Sequence, residues 1–122
     1  MSCDAVIGDA DSYPYSTLAT GAFTDHLHDP SLVACWDFGH ANLSASDQAR
    51  AIEMMGSRIK CTHVHNNFGY GDRHLPPDCG DIAWEPVMGA LKRTGYTGAL
   101  TLETHCQFLD KDFLLSFARH NL

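Results

Sequence analysis

Two histidines two residues apart, His63 and His65, stand at the end of an apolar run, Ile59–Val64. In a β-strand, residues i and i+2 point to one face, so both imidazoles would leave the strand end in the same direction. Other ionisable side chains recur at matching places. Asp37 ends the apolar run 32–37, Glu103 ends the run 99–103, and His40, Asp72 and His74 lie in loops just beyond such runs. A carboxylate–imidazole–carboxylate set of Asp37, His65 and Glu103 suits a divalent ion (Mn²⁺, Zn²⁺, Co²⁺ or Mg²⁺), with the imidazole favouring transition metals. His40, Asp72 and His74 would make outer contacts to that ion or ligate a second one. His63 either faces the site beside His65 or supports it by hydrogen bonding. His105, two residues past Glu103, falls at the same edge. A single His or Asp near a strand end is more often a cap than a ligand. Ligand types at three strand ends in succession are what point to a metal centre.

The elements that must position these groups alternate. After a polar stretch over residues 1–15, a helix is expected over 16–28, weakened by Gly21, with Asp29-Pro30 as a turn. Residues 32–37 read as a strand covered on both faces, followed by a loop over 38–42. A helix is expected over 44–56, with Ser44 and Asp47 as a capping-box-like start and Gly56 as its stop. The second strand follows at 59–65. A long loop over 66–81 carries Asp72 and His74 among glycines and prolines. Trp84, Val87, Met88 and Leu91 then share one helix face behind Asp81 as its cap, and Gly95 ends that helix. A third strand at 99–103 and a final helix at 110–119 complete the order. Such alternation gives a parallel sheet with right-handed crossovers. Parallel strands carry their C-terminal ends to one sheet edge, where active sites form in (β/α) barrels.

At 122 residues the chain is one domain at most. Its apolar fraction of 44% and charged fraction of 19% are those of a globular chain. No apolar run approaches the roughly 20 residues of a membrane span, and no signal peptide is evident, so a cytoplasmic location and no membrane contact are expected. The net charge of −7, with few and scattered Lys and Arg, argues against nucleic acid as a partner. Five cysteines without CxxC spacing exclude a disulfide framework or zinc ribbon; Cys35 and Cys61 read as core filler. There is no GxSxG, and Gly69-Tyr70-Gly71 is too short for a dinucleotide fingerprint. His26, His28 and His120 read as solvated, and Trp84 and Phe117 as core.

Several stretches together resemble the xylose isomerase-like TIM-barrel superfamily, which groups sugar-phosphate isomerases and epimerases with endonuclease IV. They are Cys35-Trp36-Asp37-Phe38-Gly39-His40-Ala41, Thr62-His63-Val64-His65-Asn66-Asn67, Asp72-Arg73-His74-Leu75-Pro76, Ile82-Ala83-Trp84, and Gly95-Tyr96-Thr97-Gly98 leading to Leu102-Glu103. The resemblance implies that Asp37, His65 and Glu103 match metal ligands on the sixth, seventh and eighth barrel strands. It implies that His40 matches a residue that contacts substrate in epimerases or ligates a further zinc in the endonuclease. Asp72 and His74 match a zinc-binding pair of the endonuclease. In isomerase relatives, two metal-bound glutamates exchange a proton with the carbon beside a carbonyl through an enediolate, and Glu103 would be one of them.

The expected fold is therefore a partial (β/α)₈ TIM barrel: three parallel strands with flanking helices over residues 1–122, corresponding to the C-terminal half. A full barrel needs eight βα units and roughly 250 residues. The family's other glutamate would fall just before this chain begins; Asp4 is near but lies in no strand-like run, and Asp78-Cys79-Gly80 replaces the usual Gly-x-Gly. The chain is expected to be a fragment, or to work with a second chain that completes the sheet. Alone it would bind metal weakly and show no isomerase activity. The leading function is divalent-metal-dependent isomerisation or epimerisation of a sugar or sugar phosphate. The alternatives are a zinc-dependent abasic-site endonuclease and a non-catalytic remnant serving as a binding or assembly module.

Overall fold

The computed structural model describes residues 25–26, 29–44 and 47–105, with Asp112, Leu115, Ser116, Arg119 and His120. Most of the expected helices over 16–28 and 110–119 lies outside the described residues. Asp25 and His26 in the first, and Asp112, Leu115, Ser116 and Arg119 in the second, are helical. His26 and His120 are exposed; His28 and Phe117 are outside the described residues.

The apolar runs form the strands β1 (Ala34–Asp37), β2 (Ile59–Val64) and β3 (Thr101–Leu102). They make one parallel sheet in the order β1-β2-β3. In register, Cys35 pairs with Cys61, Asp37 with His63, and His63 with Thr101. One row across the sheet thus runs from Asp37 through His63 to Thr101, with Glu103 two residues beyond. The helices are α1 (Phe38–Leu43), α2 (Gln48–Met55) and α3 (Trp84–Arg93), with a 3-10 turn at Gly56–Arg58. The strands and helices alternate in one partial (β/α) barrel, as the apolar patterning requires.

Residues of the other row and the helices make the core. Ala34, Trp36 and Val64 of the sheet pack with Ala51, Ile52 and Met55 of α2 and Val87, Ala90 and Leu91 of α3. Gln48, buried at the start of α2, joins the layers: its Oε1 accepts from Trp36 Nε1 at 3.4 Å and its Nε2 donates to the Phe38 carbonyl at 3.1 Å.

The boundaries differ from the sequence expectation for local reasons. Residues 38–43 form a helix where a loop is expected, because the Asp37 side chain caps it by accepting from the His40 N–H at 2.8 Å. Ser44 closes α1, its hydroxyl donating to the Ala41 carbonyl, and therefore does not open the next helix. Asp47 alone caps α2, accepting from the Arg50 N–H. Asp81 is not the cap of α3; that position is Ala83, and the Asp81 carboxylate accepts instead from Asn42 Nδ2 at 2.7 Å. Gly56 and Gly95 stop their helices at positive φ, 56° and 80°; Gly56 combines this with ψ −134°, a backbone region that favours glycine. Trp84 is half-buried, edge-on to Phe38 at 5.4 Å, and donates from Nε1 to the Pro77 carbonyl at 2.7 Å.

Candidate metal centre

The C-terminal edge of the sheet gathers Asp37, His40, His63, His65, Asp72, His74 and Glu103. Asp37 is buried at the end of β1. One carboxylate oxygen, Oδ1, takes the His40 N–H and lies 2.9 Å from His65 Nε2. The other, Oδ2, lies 3.2 Å from His40 Nδ1 and 3.6 Å from His63 Nδ1. Glu103 reaches the same place from β3: its Oε2 is 3.6 Å from His63 Nδ1 and 3.9 Å from His65 Nε2. The strand segment continues to hold it, since the Glu103 N–H donates to the Val64 carbonyl at 3.0 Å.

His63 and His65 both approach the Asp37–Glu103 pair, as residues two apart on one strand should. They differ in burial. The His63 side chain is 43% exposed and that of His65 is fully buried. Neither ring nitrogen of His65 has a hydrogen-bond partner among the described residues, and the close Asp37 contact does not have hydrogen-bond direction. A buried imidazole normally satisfies its nitrogens. An imidazole nitrogen and a carboxylate oxygen held close without a proton aimed between them suit joint ligation of one cation.

A second cluster adjoins the first. Asp72 Oδ2 lies between two imidazoles, 3.0 Å from His40 Nε2 and 3.1 Å from His74 Nε2. His74 Nδ1 is 2.8 Å from the Glu103 carbonyl oxygen, which can only accept, so this nitrogen carries the proton. Nε2 of a neutral His74 then presents its lone pair to a carboxylate, an arrangement that calls for a proton or a cation between them. His40, His65, Asp72 and His74 can converge on one ion, as can Asp37, His63 and Glu103. The residues present therefore fit a divalent ion, with His65 near both groups.

The electrostatics follow the contacts. Burial pushes the Asp37 carboxyl up, but the His65 imidazole, the His40 N–H and the positive charge these imidazoles can carry outweigh it, and the group is held below the usual carboxylate range. For Asp72, too, burial acts upward and is outweighed by His40 and His74, leaving the group lowered. Burial lowers His74, yet its bond to the Glu103 carbonyl and the nearby Asp72 and Glu103 carboxylates hold it above its ordinary value.

Less obvious residues build the walls. Gly39 lies against the His65 ring so closely that a Cβ there would meet ring atoms at 2.0 and 2.2 Å. Asn67 is buried and donates from Nδ2 to the Gly39 carbonyl at 2.8 Å, while its Oδ1 accepts from Asn42 and from the Gly69 N–H. Buried Asn66 bridges to Leu75 through both backbone groups, and its side chain binds the Pro77 carbonyl and the Asn67 and Ile82 N–H groups. These two amides fold the 66–81 loop back over the site. Sequence reasoning assigned them no role; their position directly after the His-x-His pair is the signal that was there.

The comparisons agree with this architecture. The xylose isomerase-like TIM barrel family matches residues 10–112. The uncharacterized protein y4fM of Sinorhizobium fredii is 37% identical over 70 residues, 57% of this chain and 22% of that protein. The uncharacterized protein MJ1311 of Methanocaldococcus jannaschii is 38% identical over 71 residues, 56% of this chain and 24% of that protein. A crystal structure of a D-tagatose 3-epimerase-like protein superposes with a TM-score of 0.72 at 26% identity, covering 86% of this chain and 39% of that one. The chain thus spans less than a quarter of the curated relatives' length and about two-fifths of the epimerase-like structure. With the strand order, the site-bearing edge and the family match in agreement, the chain belongs to the xylose isomerase-like TIM barrel family.

Proposed function

We propose that this chain carries the C-terminal ligand edge of a divalent-metal-dependent isomerase or epimerase acting on a sugar or sugar phosphate. The observation that carries the reading is the approach of His65 and Glu103 to buried Asp37, with the His65 nitrogens lacking hydrogen-bond partners. Asp37, His65 and Glu103 would hold the ion, with His63 beside them. When bound, such an ion supplies Lewis-acid polarisation of a substrate carbonyl. Polarisation acidifies the carbon next to that carbonyl. The Glu103 carboxylate, 38% exposed at the sheet edge, would take that proton as general base and return it to the neighbouring carbon in isomerisation, while the hydroxyl proton of that neighbouring carbon passes to the former carbonyl oxygen. Epimerisation would require a second base on the opposite face of that carbon. His40, whose two ring nitrogens face Asp37 and Asp72, would contact substrate by turning one of them from its carboxylate to a substrate oxygen.

Calorimetric titration tests this. The chain should bind Mn²⁺ or Co²⁺, and Asp37→Ala and His65→Ala should each remove binding. D-Tagatose or a ketose phosphate should bind more tightly to the ion-loaded chain than to the ion-free one. A folded chain that takes up no divalent ion sinks the reading. Turnover should require the sheet to be completed by further barrel strands, so turnover by the chain as a monomer would refute that requirement.

A second reading has its own support. Asp72 Oδ2 between the Nε2 atoms of His40 and His74 forms a second ligand group, as a multi-zinc abasic-site endonuclease would need. The net charge of −7 acts against a DNA substrate. Zinc stoichiometry and cleavage of abasic-site DNA separate the two.

A further inference from the structure

His74 is held in an uncommon way. Its backbone is left-handed, φ 46°, although it is not glycine. Its ring stacks on His65 at 3.9 Å with 9° between planes, and on His105 at 4.3 Å with 8°. Two rings that close and that parallel cannot share one face of a third, so His74 is sandwiched between them. The segment after β3 also grips it through the main chain: His74 Nδ1 donates to the Glu103 carbonyl at 2.8 Å, and the His105 N–H donates to the His74 carbonyl at 3.0 Å. His65 is buried and fixes the inner face. His105 closes the outer face.

We propose that His105 is a positioning residue for His74. Its ring prevents the His74 imidazole from turning over, and its N–H anchors the left-handed backbone. Together they keep Nδ1 on the Glu103 carbonyl and Nε2 on Asp72. The role requires the flat ring and the backbone N–H of His105, not its ring nitrogens. The inference rests on reading His74 as an ion or substrate contact, and its test includes a measurement that does not need an ion.

The full chain is compared with His105→Ala and His105→Phe in two measurements. In side-chain nitrogen NMR of the ion-free protein, the wild type should show His74 as one tautomer, protonated at Nδ1. His105→Ala should show averaging between tautomers, and His105→Phe should restore the single form. In competition titration with Zn²⁺, His105→Ala should raise the Kd about tenfold, in the range of supporting contacts to metal ligands, and His105→Phe should recover most of it. If His105→Ala does not fold, His105→Leu, which keeps bulk without a flat face, carries the same expectation. An unchanged tautomer and Kd in His105→Ala or His105→Leu overturns the proposal, as does failure of His105→Phe to rescue. If the wild type binds no Zn²⁺, the ion reading fails, while the tautomer comparison alone still decides the role of His105.

Discussion

Gly39 sits beneath His65, and a methyl group there would overlap the imidazole. Gly39→Ala should therefore shift His65, destabilise the chain by about 1–3 kcal/mol and weaken ion binding. Urea unfolding together with Co²⁺ titration checks both; an alanine variant with wild-type affinity would show that the ring has room to move. The ionisable groups give the ion-free chain a defined pH range. Asp37 and Asp72 have lowered values when folded, so the stability they add is present above the ordinary 3.8 and lost as pH falls through the lowered values. His74 is raised, so its contribution is present below the ordinary 6.5 and lost as pH rises through the folded value. The urea midpoint should thus be highest between about pH 4 and 6.5. A midpoint that climbs from pH 6.5 to 8 would contradict this for His74. The ligand types at strand ends were legible in the sequence because they recur at the same place in successive units. Gly39 and Asn67 were not, because their value lies in a contact across 28 residues, invisible until the chain is folded.

At the scale of elements, the short helix α1 exists because of the residue before it. Asp37 caps α1 and faces His65 at once. Two substitutions separate these roles. Asn is as good a cap as Asp, so Asp37→Asn should keep the helix while weakening ion binding. Asp37→Ala should lose the ion and also about 1 kcal/mol of cap stability. Equal stability of the two variants in thermal unfolding would show that the cap contributes nothing. The strands, α2 and α3 were legible from apolar spacing and Gly stops. The helix at 38–43 was not, since Phe-Gly-His-Ala-Asn carries no strong helical pattern and one carboxylate decides its conformation. The helix starts were misplaced for a related reason: Ser44 and Asp81 are cap-type residues that here serve Ala41 and Asn42.

At the scale of the whole molecule, the described core is the layer between the sheet and α2 and α3, while Cys35, Asp37, Cys61 and His63 occupy the opposite sheet face. The apolar alternation made the parallel sheet legible, and the motifs made the barrel family legible. Which chemistry the site serves was not, because the ligand set is compatible with more than one reaction. The ion should couple the three strands, since the residues proposed to hold it, Asp37, His65 and Glu103, stand at the three strand ends. Saturating Mn²⁺ at about 100 times its Kd should add about 2.7 kcal/mol and raise the Tm of the wild type. It should leave Asp37→Asn nearly unmoved. Equal Tm shifts in both would place the ion elsewhere.

The double employment of Asp37 bears on how such a site decays over generations. A lineage that abandons the chemistry still needs α1 to start, so selection retains Asp, or accepts Asn, at position 37 for reasons of folding alone. His65 has no such employer outside the site: its ring is buried with both nitrogens lacking a hydrogen bond, and the groups it faces, the Asp37 carboxylate and the His74 ring, belong to the site itself. Across descendants of this chain, loss of function should be recorded first as a histidine replaced at 65, and only later, if at all, at 37.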